Sequence, residues 1–287
     1  MPFAPISSSV SIYHALSGKM GSPRLVVVDG SNSDTRSAES LSRTALLAGA
    51  FRVLTFDHRG MGQSSMDTTP SHYTMRQYAQ DIHDLLAHVQ WDDGPIAILA
   101  FSFGGMVAQE VAIRWPSAVS SLALCCTSAG GSCGSSAPLH EFAKLSTSGF
   151  IYKFQMAADT RNSSWLWSSV ALAKSVAASL MPQLRHCDAE VRDVFWDTCR
   201  LLQYDARAAH DTSTRLAALA NMHILLCGGT KDGICPKANI EAMLAQLQKD
   251  GCKNAVAKYF EGSHFFHRES PQPLATISEF LLGSAPL

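Results

Sequence analysis

The run Ala100–Gly105, AFSFGG, constrains the fold of this chain more than any other feature. An apolar stretch at 95–99 precedes it, and a helical pattern over 106–113 follows it and stops at Trp115-Pro116. A serine between a strand and a helix, with small residues two positions before and after it, is typical of a nucleophile elbow. Strand and helix nearly touch across such a turn, so a large side chain does not fit there. The run therefore predicts that the Ser102 hydroxyl stands clear of the sheet, beside the free amides of a helix start.

Length and composition fit a single large α/β domain with an inserted lid. The chain has 287 residues, of which 46% are hydrophobic and 16% are charged, so it can bury a large core. The formal net charge is −1, and we find no basic patch and no charged tail. The composition therefore favours a small-molecule substrate, excludes nucleic acid as a partner and leaves a homodimer open.

Neither a membrane anchor nor a disulfide framework is expected. Residues 7–16 alternate like a strand and lack the features of a signal peptide, and no apolar run reaches the roughly 18 residues of a membrane span. The eight cysteines include the adjacent pair Cys125-Cys126 but no CxxC motif. Reduced thiols in a cytoplasmic protein are the expected state at this length.

Alternating strand and helix patterns predict an α/β fold, with a doubly wound and mostly parallel sheet. Apolar runs predict buried strands at 25–28, 51–56, 95–99, 122–126, 223–227 and 255–260. Helical patterns cover 74–89, 236–249 and 274–282, and the first of them has Thr74 and Gln77 as a capping box. In such a sheet the active site lies at the carboxyl ends of the strands.

The alternation stops between Thr127 and about Asn221, where the sequence becomes helical and aromatic. We interpret this stretch as a helical cap inserted over the carboxyl edge of the sheet. The predicted organisation is an α/β core at 1–130, a cap at 131–220 and the rest of the core at 221–287. The aromatic residues of the cap, Trp165 and Trp167 among them, fit an acyl pocket and a hydrophobic core beneath the cap equally well.

Three residues with complementary chemistry each follow a predicted strand: Ser102, Asp232 and His264. A serine hydroxyl needs a neutral imidazole to take its proton, and the imidazole needs a carboxylate to fix its tautomer. The chain order serine, acid, histidine is the one expected for a strand–turn–helix context. Each residue also has a structural interpretation, as a turn serine, a capping aspartate or a core histidine. His267 is the competing histidine, expected in a helix or facing solvent.

Two backbone amides are the candidates for an oxyanion hole, which must stabilise the negative charge that develops on the substrate carbonyl. The amide of Phe103 follows the nucleophile directly, and the loop after the strand at 25–28 offers the amide of Ser31. A polar loop of this kind also fits a simple turn. The histidines show no HExxH or HxH spacing, so we predict no metal site and no cofactor.

Together these residues resemble the α/β-hydrolase superfamily, in its capped branch of esterases, enol-lactonases and carbon–carbon bond hydrolases. The resemblance rests on Asp29–Ser31, on the run Asp57–Ser64 (DHRGMGQS), on the elbow and on the two catalytic loops, and it covers nearly the whole chain. The Ser31–Ser33 loop and the stretch 125–131 are most similar to 3-oxoadipate enol-lactonases. This chain departs from the family pattern by having Asp29 instead of the histidine before the oxyanion glycine.

The resemblance implies a serine hydrolase that cleaves a small, largely apolar carboxylic ester or lactone. Phe101, Trp165, Trp167 and Phe265 are the candidate substrate-binding residues. Arg59 is expected to brace loops beneath the site, with contact to the substrate as the less favoured alternative. Two alternatives stay open: carbon–carbon bond cleavage with the same triad, and a ligand receptor without turnover. A redox role for Cys125, Cys126 or Cys227 is disfavoured because thiols buried on strands are inert.

Overall fold

The computed structural model describes residues 2–68, 72–162 and 189–283. Within them, eight strands form one sheet in the order β1-β2-β4-β3-β5-β6-β7-β8. β1 and β2 pair antiparallel, and β3 to β8 run parallel to one another. The strands are β1 Phe3–Pro5, β2 Ser11–Ser17, β3 Arg24–Val28, β4 Arg52–Phe56, β5 Ile96–Phe101, β6 Val119–Cys125, β7 His223–Gly229 and β8 Ala255–Phe260. The predicted mostly parallel α/β sheet is confirmed.

Helices follow the parallel strands and cover the sheet. They are α1 Ala38–Leu47, α2 Met75–His88, α3 Phe103–Arg114, α4 Leu139–Phe142, α5 Thr147–Ala158, α6 Ala189–Ala208, α7 Lys237–Lys249, α8 Phe266–Glu269 and α9 Gln272–Leu281. The Thr74 hydroxyl accepts a hydrogen bond from the Gln77 amide and caps α2. No helix in these described ranges is long and apolar enough to cross a membrane.

The strand order places a crevice beside β5. From β3 the chain moves to β4 on one side and then returns to β5 on the other side, so the direction of winding reverses between β3 and β5. Loops that leave two such strands at their carboxyl ends diverge and leave room for a ligand. Val28 and Ala100 are partners in the register of these strands. The polar loop after Val28 and the elbow after Phe101 therefore lie at the same edge of the sheet.

Every side chain of β5 is buried, which explains the continuous apolar run in the sequence. One hydrophobic cluster contains Ile98 and Ala100 with side chains from α2, α3 and α7, and a second contains Leu99 and Phe101 with Ile277 of α9. Both faces of the sheet are therefore covered by apolar residues. This packing fixes the position of the carboxyl end of β5 and therefore of Ser102.

Between β6 and β7 the described chain holds α4, α5, α6 and short 3₁₀ segments, apart from one isolated bridge between Gly130 and Asp211. The sequence predicted a helical cap here, and the boundaries at 131 and 220 stay a prediction. Trp165 and Trp167 lie outside the described residues. Helix α1, in contrast, was not recognised in the sequence.

Candidate active site

Ser102 has the backbone geometry of a sharp elbow. Its φ of 52° and ψ of −117° are unusual for a residue other than glycine, and they raise its side chain above the end of β5. Its amide donates to the Cys125 carbonyl at 2.8 Å, and the Thr127 hydroxyl donates to the Ser102 carbonyl at 2.8 Å. Hydrogen bonds to the last residue of β6 and to Thr127 just beyond it hold the strained conformation.

Gly104 shows why the elbow needs small residues. A Cβ at this position would lie 2.2 Å from the carbonyl oxygen of Val28 and 2.5 Å from that of Asp29. Helix α3 therefore begins directly against the end of β3. Ala100, by contrast, is fully buried in β5, and its methyl group is accommodated between the neighbouring strands.

Asp232 lies in the loop between β7 and α7, with one carboxylate oxygen fully engaged. Its Oδ1 accepts hydrogen bonds from the amides of Ile234, at 2.8 Å, and Cys235, at 2.9 Å. Oδ2 remains available for a side-chain partner. The two amides thus fix the carboxylate plane and direct Oδ2 towards His264.

His264 lies between Asp232 and Ser102. Its Nδ1 is 2.8 Å from Asp232 Oδ2, and its Nε2 is 3.0 Å from Ser102 Oγ. The carboxylate only accepts, so Nδ1 carries the proton and Nε2 is free to accept from the serine hydroxyl. All three residues are buried. The structure therefore brings together the three residues that the sequence predicted, in the arrangement that lets an imidazole take the proton of a serine.

Backbone hydrogen bonds join the acid loop to the histidine loop. The Thr230 amide donates to the Phe260 carbonyl at 2.9 Å, and the Lys231 amide donates to the Gly262 carbonyl at 2.8 Å. The His264 amide donates to the Ala158 carbonyl at 2.7 Å, at the end of α5. The separation of Asp232 and His264 is thus set by the backbone as well as by their own contact.

The two amides predicted for an oxyanion hole belong to the residue after Ser102 and to the loop after β3, which lines the same cavity as Ser102. Phe103 is the first residue of α3, where an amide has no acceptor within the helix. Gly30 lies so close to the elbow that a Cβ on it would be 3.5 Å from Ser102 Cβ. Ser31, the next residue, therefore also lies near the elbow. Within the described parts of the chain, neither the Phe103 nor the Ser31 amide donates to a protein acceptor.

A buried ion pair holds Asp29, the residue before Gly30 in the loop after β3. Nη2 of Arg43 on α1 lies 2.6 Å and 2.7 Å from the two carboxylate oxygens of Asp29. His58 Nε2 lies 3.0 Å from the Asp29 carbonyl oxygen, and burial lowers the pKa of His58, so this ring is neutral and donates. The sequence analysis missed Arg43 because no pattern connects it to Asp29.

The run Asp57–Ser64 forms a compact loop beneath the site. Asp57 accepts from the amides of Thr35, at 2.7 Å, and Gln63, at 2.8 Å. Arg59 donates through Nε to Asp81 on α2 at 2.6 Å and through Nη1 to Asp67 at 2.9 Å. Arg59 does not line the cavity beside Ser102. Arg59 therefore joins this loop to α2 and to Asp67, and its bracing role stays a prediction.

A cavity of about 500 Å³ opens beside Ser102. Apolar side chains form one part of its lining, and polar and charged groups from the loop after β3, α1, α6 and α8 form the rest. The apolar group consists of Phe101, Leu139, Phe150, Phe154 and Phe265. Phe101 and Phe265 line this cavity, and their role in substrate binding stays a prediction.

His267 is helical but does not face solvent, which corrects part of the expectation for this residue. It lies in α8 and is buried, with Nε2 3.1 Å from Glu39 Oε1 on α1 and its ring 4.3 Å from that of Phe101. Burial lowers the pKa of His267 despite the nearby Glu39. The contact with Glu39, which sequence spacing does not reveal, explains why this histidine is inside the protein.

The described residues contain no group of three or more histidine, cysteine or acidic side chains arranged to hold a metal. Seven cysteines in these ranges are free and buried. Burial raises the pKa of the Cys125 and Cys126 thiols well above the ordinary value. Such thiols are poor nucleophiles at neutral pH.

The strained serine lies at the strand-to-helix turn, and the acid and the histidine lie on later loops. This arrangement is typical of the alpha/beta hydrolase class of proteins. The model of the alpha/beta hydrolase fold family matches residues 12–271, and the chain belongs to that family.

Its relatives carry several hydrolase names. The chain is 32% identical over 117 residues to a proline iminopeptidase, PfmaB, of Pestalotiopsis fici, a match that covers 41% of each chain. It is 34% identical over 106 residues to a putative carbamate hydrolase, RutD, of Cronobacter turicensis, which covers 36% of this chain and 37% of the relative. The chain thus matches about two fifths of the length of these curated relatives.

Among solved structures, the enol-lactonase of Burkholderia xenovorans superposes with a TM-score of 0.74 at 19% identity. The superposition covers 98% of this chain and 100% of the other. At this identity the likeness concerns the fold alone.

Proposed function

We propose that this protein is a serine hydrolase that cleaves a small carboxylic ester or lactone through an acyl-enzyme. The observation that carries the proposal is the pair of contacts made by His264, 3.0 Å to Ser102 Oγ and 2.8 Å to Asp232 Oδ2. These distances lie within hydrogen-bond range, and both Ser102 and His264 line the cavity.

Acylation begins with transfer of the Ser102 hydroxyl proton to His264 Nε2 as Oγ bonds to the substrate carbonyl carbon. The carbonyl oxygen becomes negatively charged, and the amides of Phe103 and Ser31 donate to it. Asp232 stabilises the imidazolium that forms. When the intermediate collapses, the bond from carbon to the leaving oxygen breaks, and His264 gives its proton to that oxygen.

Deacylation repeats these steps with water as the nucleophile. His264 Nε2 takes a proton from the water, whose oxygen bonds to the acyl carbon, and then returns the proton to Ser102 Oγ as the acyl bond breaks. The products are a carboxylic acid and an alcohol, or a single hydroxy acid from a lactone. No cofactor is needed for this balance.

The substrate is expected to be small and to carry a largely apolar acyl group. The cavity of about 500 Å³ fits a ligand at the small end of the usual range. Phe150 and Phe154 of α5 and Tyr204 of α6 close the cavity over the sheet edge. We therefore assign 131–220 as a cap that shapes the acyl pocket. The free thiols support a reducing compartment, the cytoplasm.

The experiment is labelling with a fluorophosphonate probe, followed by peptide mapping. The wild type is expected to carry the label on Ser102, and Ser102→Ala and His264→Ala are expected to lose it. Ser121→Ala and His223→Ala are matched controls, because Ser121 lies on β6 and the exposed His223 begins β7, each close to the amino end of its strand. Both controls should label like the wild type. A folded wild type that is not labelled at Ser102 would overturn the proposal.

A further inference from the structure

Helix α6 reaches the loop that carries Ser31. The amide of Asn32 donates to Gln203 Oε1 at 2.9 Å, and Asn32 Nδ2 donates to the Tyr204 hydroxyl at 2.6 Å. These residues are more than 170 positions apart in the chain, and both α6 side chains are buried. Neighbouring residues of one cap helix therefore hold the backbone and the side chain of the same loop residue.

We propose that Gln203 and Tyr204 are positioning residues that hold the oxyanion turn in its working conformation through Asn32. The inference rests on the proposed function, because it concerns the amide donor that the mechanism assigns to Ser31. Neither residue is proposed to touch the reacting atoms.

The conformation of Asn32 explains why the turn needs an external support. Its φ of 61° lies in the left-handed region, which costs a non-glycine residue energy. The N–H of the peptide between Ser31 and Asn32 donates to Gln203. This hydrogen bond restrains the backbone torsions on both sides of that peptide. The Ser31 amide has no protein acceptor to hold it within the described chain.

The same contact selects which amide of the turn is available. The Asn32 amide is occupied by Gln203, whereas the Ser31 amide is free to donate to a substrate oxygen. Loss of the Gln203 oxygen would leave the Asn32 amide without its partner, and the turn would be free to rotate that amide towards other acceptors. The hydrogen bond thus keeps the two successive amides in separate roles.

Helix α6 is itself firmly seated on the core. Leu202 and Ala206 pack in the main hydrophobic cluster, and a Cβ on Gly60 would lie 2.1 Å from the sulfur of Cys199. Arg207 Nη1 donates to the Ala137 carbonyl at 2.6 Å. The helix is therefore rigid enough to act as a support for the turn.

The test compares Gln203→Met, which keeps the side-chain length but removes the acceptor, with Leu201→Met as the control, because Leu201 is an exposed residue of the same helix. Turnover of p-nitrophenyl butyrate is measured per active site, counted with the fluorophosphonate. For Gln203→Met we expect kcat to fall by about 10- to 100-fold with KM within about twofold, because misplacing a catalytic group by about 1 Å has effects of this size. Leu201→Met should match the wild type.

A second readout separates positioning from simple stability. A trifluoromethyl ketone forms a negatively charged adduct with the serine, so its inhibition constant reports on the oxyanion hole. It should rise in Gln203→Met by the same factor by which kcat falls. Should Gln203→Met not fold, Tyr204→Phe, which loses only one oxygen, carries the test with an expected drop in kcat of about 3- to 10-fold.

Two failures are distinguishable. If the wild type is not labelled at Ser102, the proposed function fails and this inference fails with it. If the wild type is labelled but every folded variant of this pair keeps kcat and inhibitor affinity within twofold, only the positioning role is overturned.

Discussion

The Nη2 of Arg43 donates to both carboxylate oxygens of Asp29, and both side chains are almost completely buried. Asp29 directly precedes Gly30 in the loop after β3, which lines the cavity beside Ser102. The ion pair thus connects helix α1 to the first loop of the site. Removing one partner leaves the other charge in a poorly solvated place.

We therefore expect Arg43→Met to lower the free energy of unfolding by about 3 kcal/mol in urea denaturation. Arg24→Met is the matched control, because Arg24 pairs with the exposed Asp93 and such surface pairs contribute at most about 1 kcal/mol. An equal effect of the two substitutions would show that the buried pair adds no more stability than the exposed one.

Asp232→Asn is expected to lower kcat by about 10⁴-fold without unfolding the protein. Asn keeps the oxygen that accepts from Ile234 and Cys235, but it presents an NH₂ group to His264 and so favours the tautomer with the proton on Nε2. Steady-state kinetics measure the effect, with Asp250→Asn at the end of α7 as the control. A loss of less than tenfold would contradict the role of Asp232.

Gly104→Ala should lower the free energy of unfolding by about 3 kcal/mol, because the new Cβ meets the Val28 carbonyl oxygen at 2.2 Å and the backbone must shift. Ala100→Gly, at the other small position of the elbow, should cost only about 0.5 to 1 kcal/mol. Both values come from chemical denaturation. Equal costs would show that helix α3 tolerates displacement from β3.

Acid should destabilise the fold partly through His210, whose pKa burial lowers from 6.5 to about 4. The unfolded chain binds this proton near pH 6.5 and the folded chain only near pH 4, so stability is lost as the pH falls through that window. The loss amounts to about 3 kcal/mol. His210→Phe should remove this part of the slope in urea denaturation at pH 7.5, 6, 5 and 4.5. An unchanged slope would assign the acid sensitivity to other groups.

The elements with strong local signals were predicted closely. β8 occupies 255–260 as predicted, since its strand run is bounded by Asn254 and Gly262, and the elbow carries its own signature in the small residues around Ser102. Ser102, Asp232 and His264 each follow a strand, and parallel strands bring their carboxyl ends to one edge of the sheet. Local sequence and fold topology suffice for these features.

Helix α1 could not be predicted from an apolar stripe, because it exposes leucines and buries a serine and an arginine. Leu41 and Leu46 are 58% and 65% exposed, whereas Ser40 and Arg43 are 3% and 4% exposed. A search for an apolar stripe fails on a helix that buries a charged residue. Arg43 is inside because Asp29 is its partner, and that contact depends on the tertiary fold.

The contacts between Asn32 and α6 could not be predicted from the sequence, because they too depend on the tertiary fold. They join a loop near the start of the chain to a helix some 170 residues later, and neither Gln203 nor Tyr204 stands in a recognisable motif. Only the folded arrangement brings them together.

Cys199 lies where helix α6 contacts the loop after β4. Its thiol is closed off against Gly60 and Met66, and burial raises its pKa to about 11. The sulfur is fully buried in the folded protein, so its modification by an alkylating reagent reports loss of the contact between α6 and that loop. Because the same helix holds Asn32 through Gln203 and Tyr204, the reactivity of this one cysteine also reports whether that support is in place.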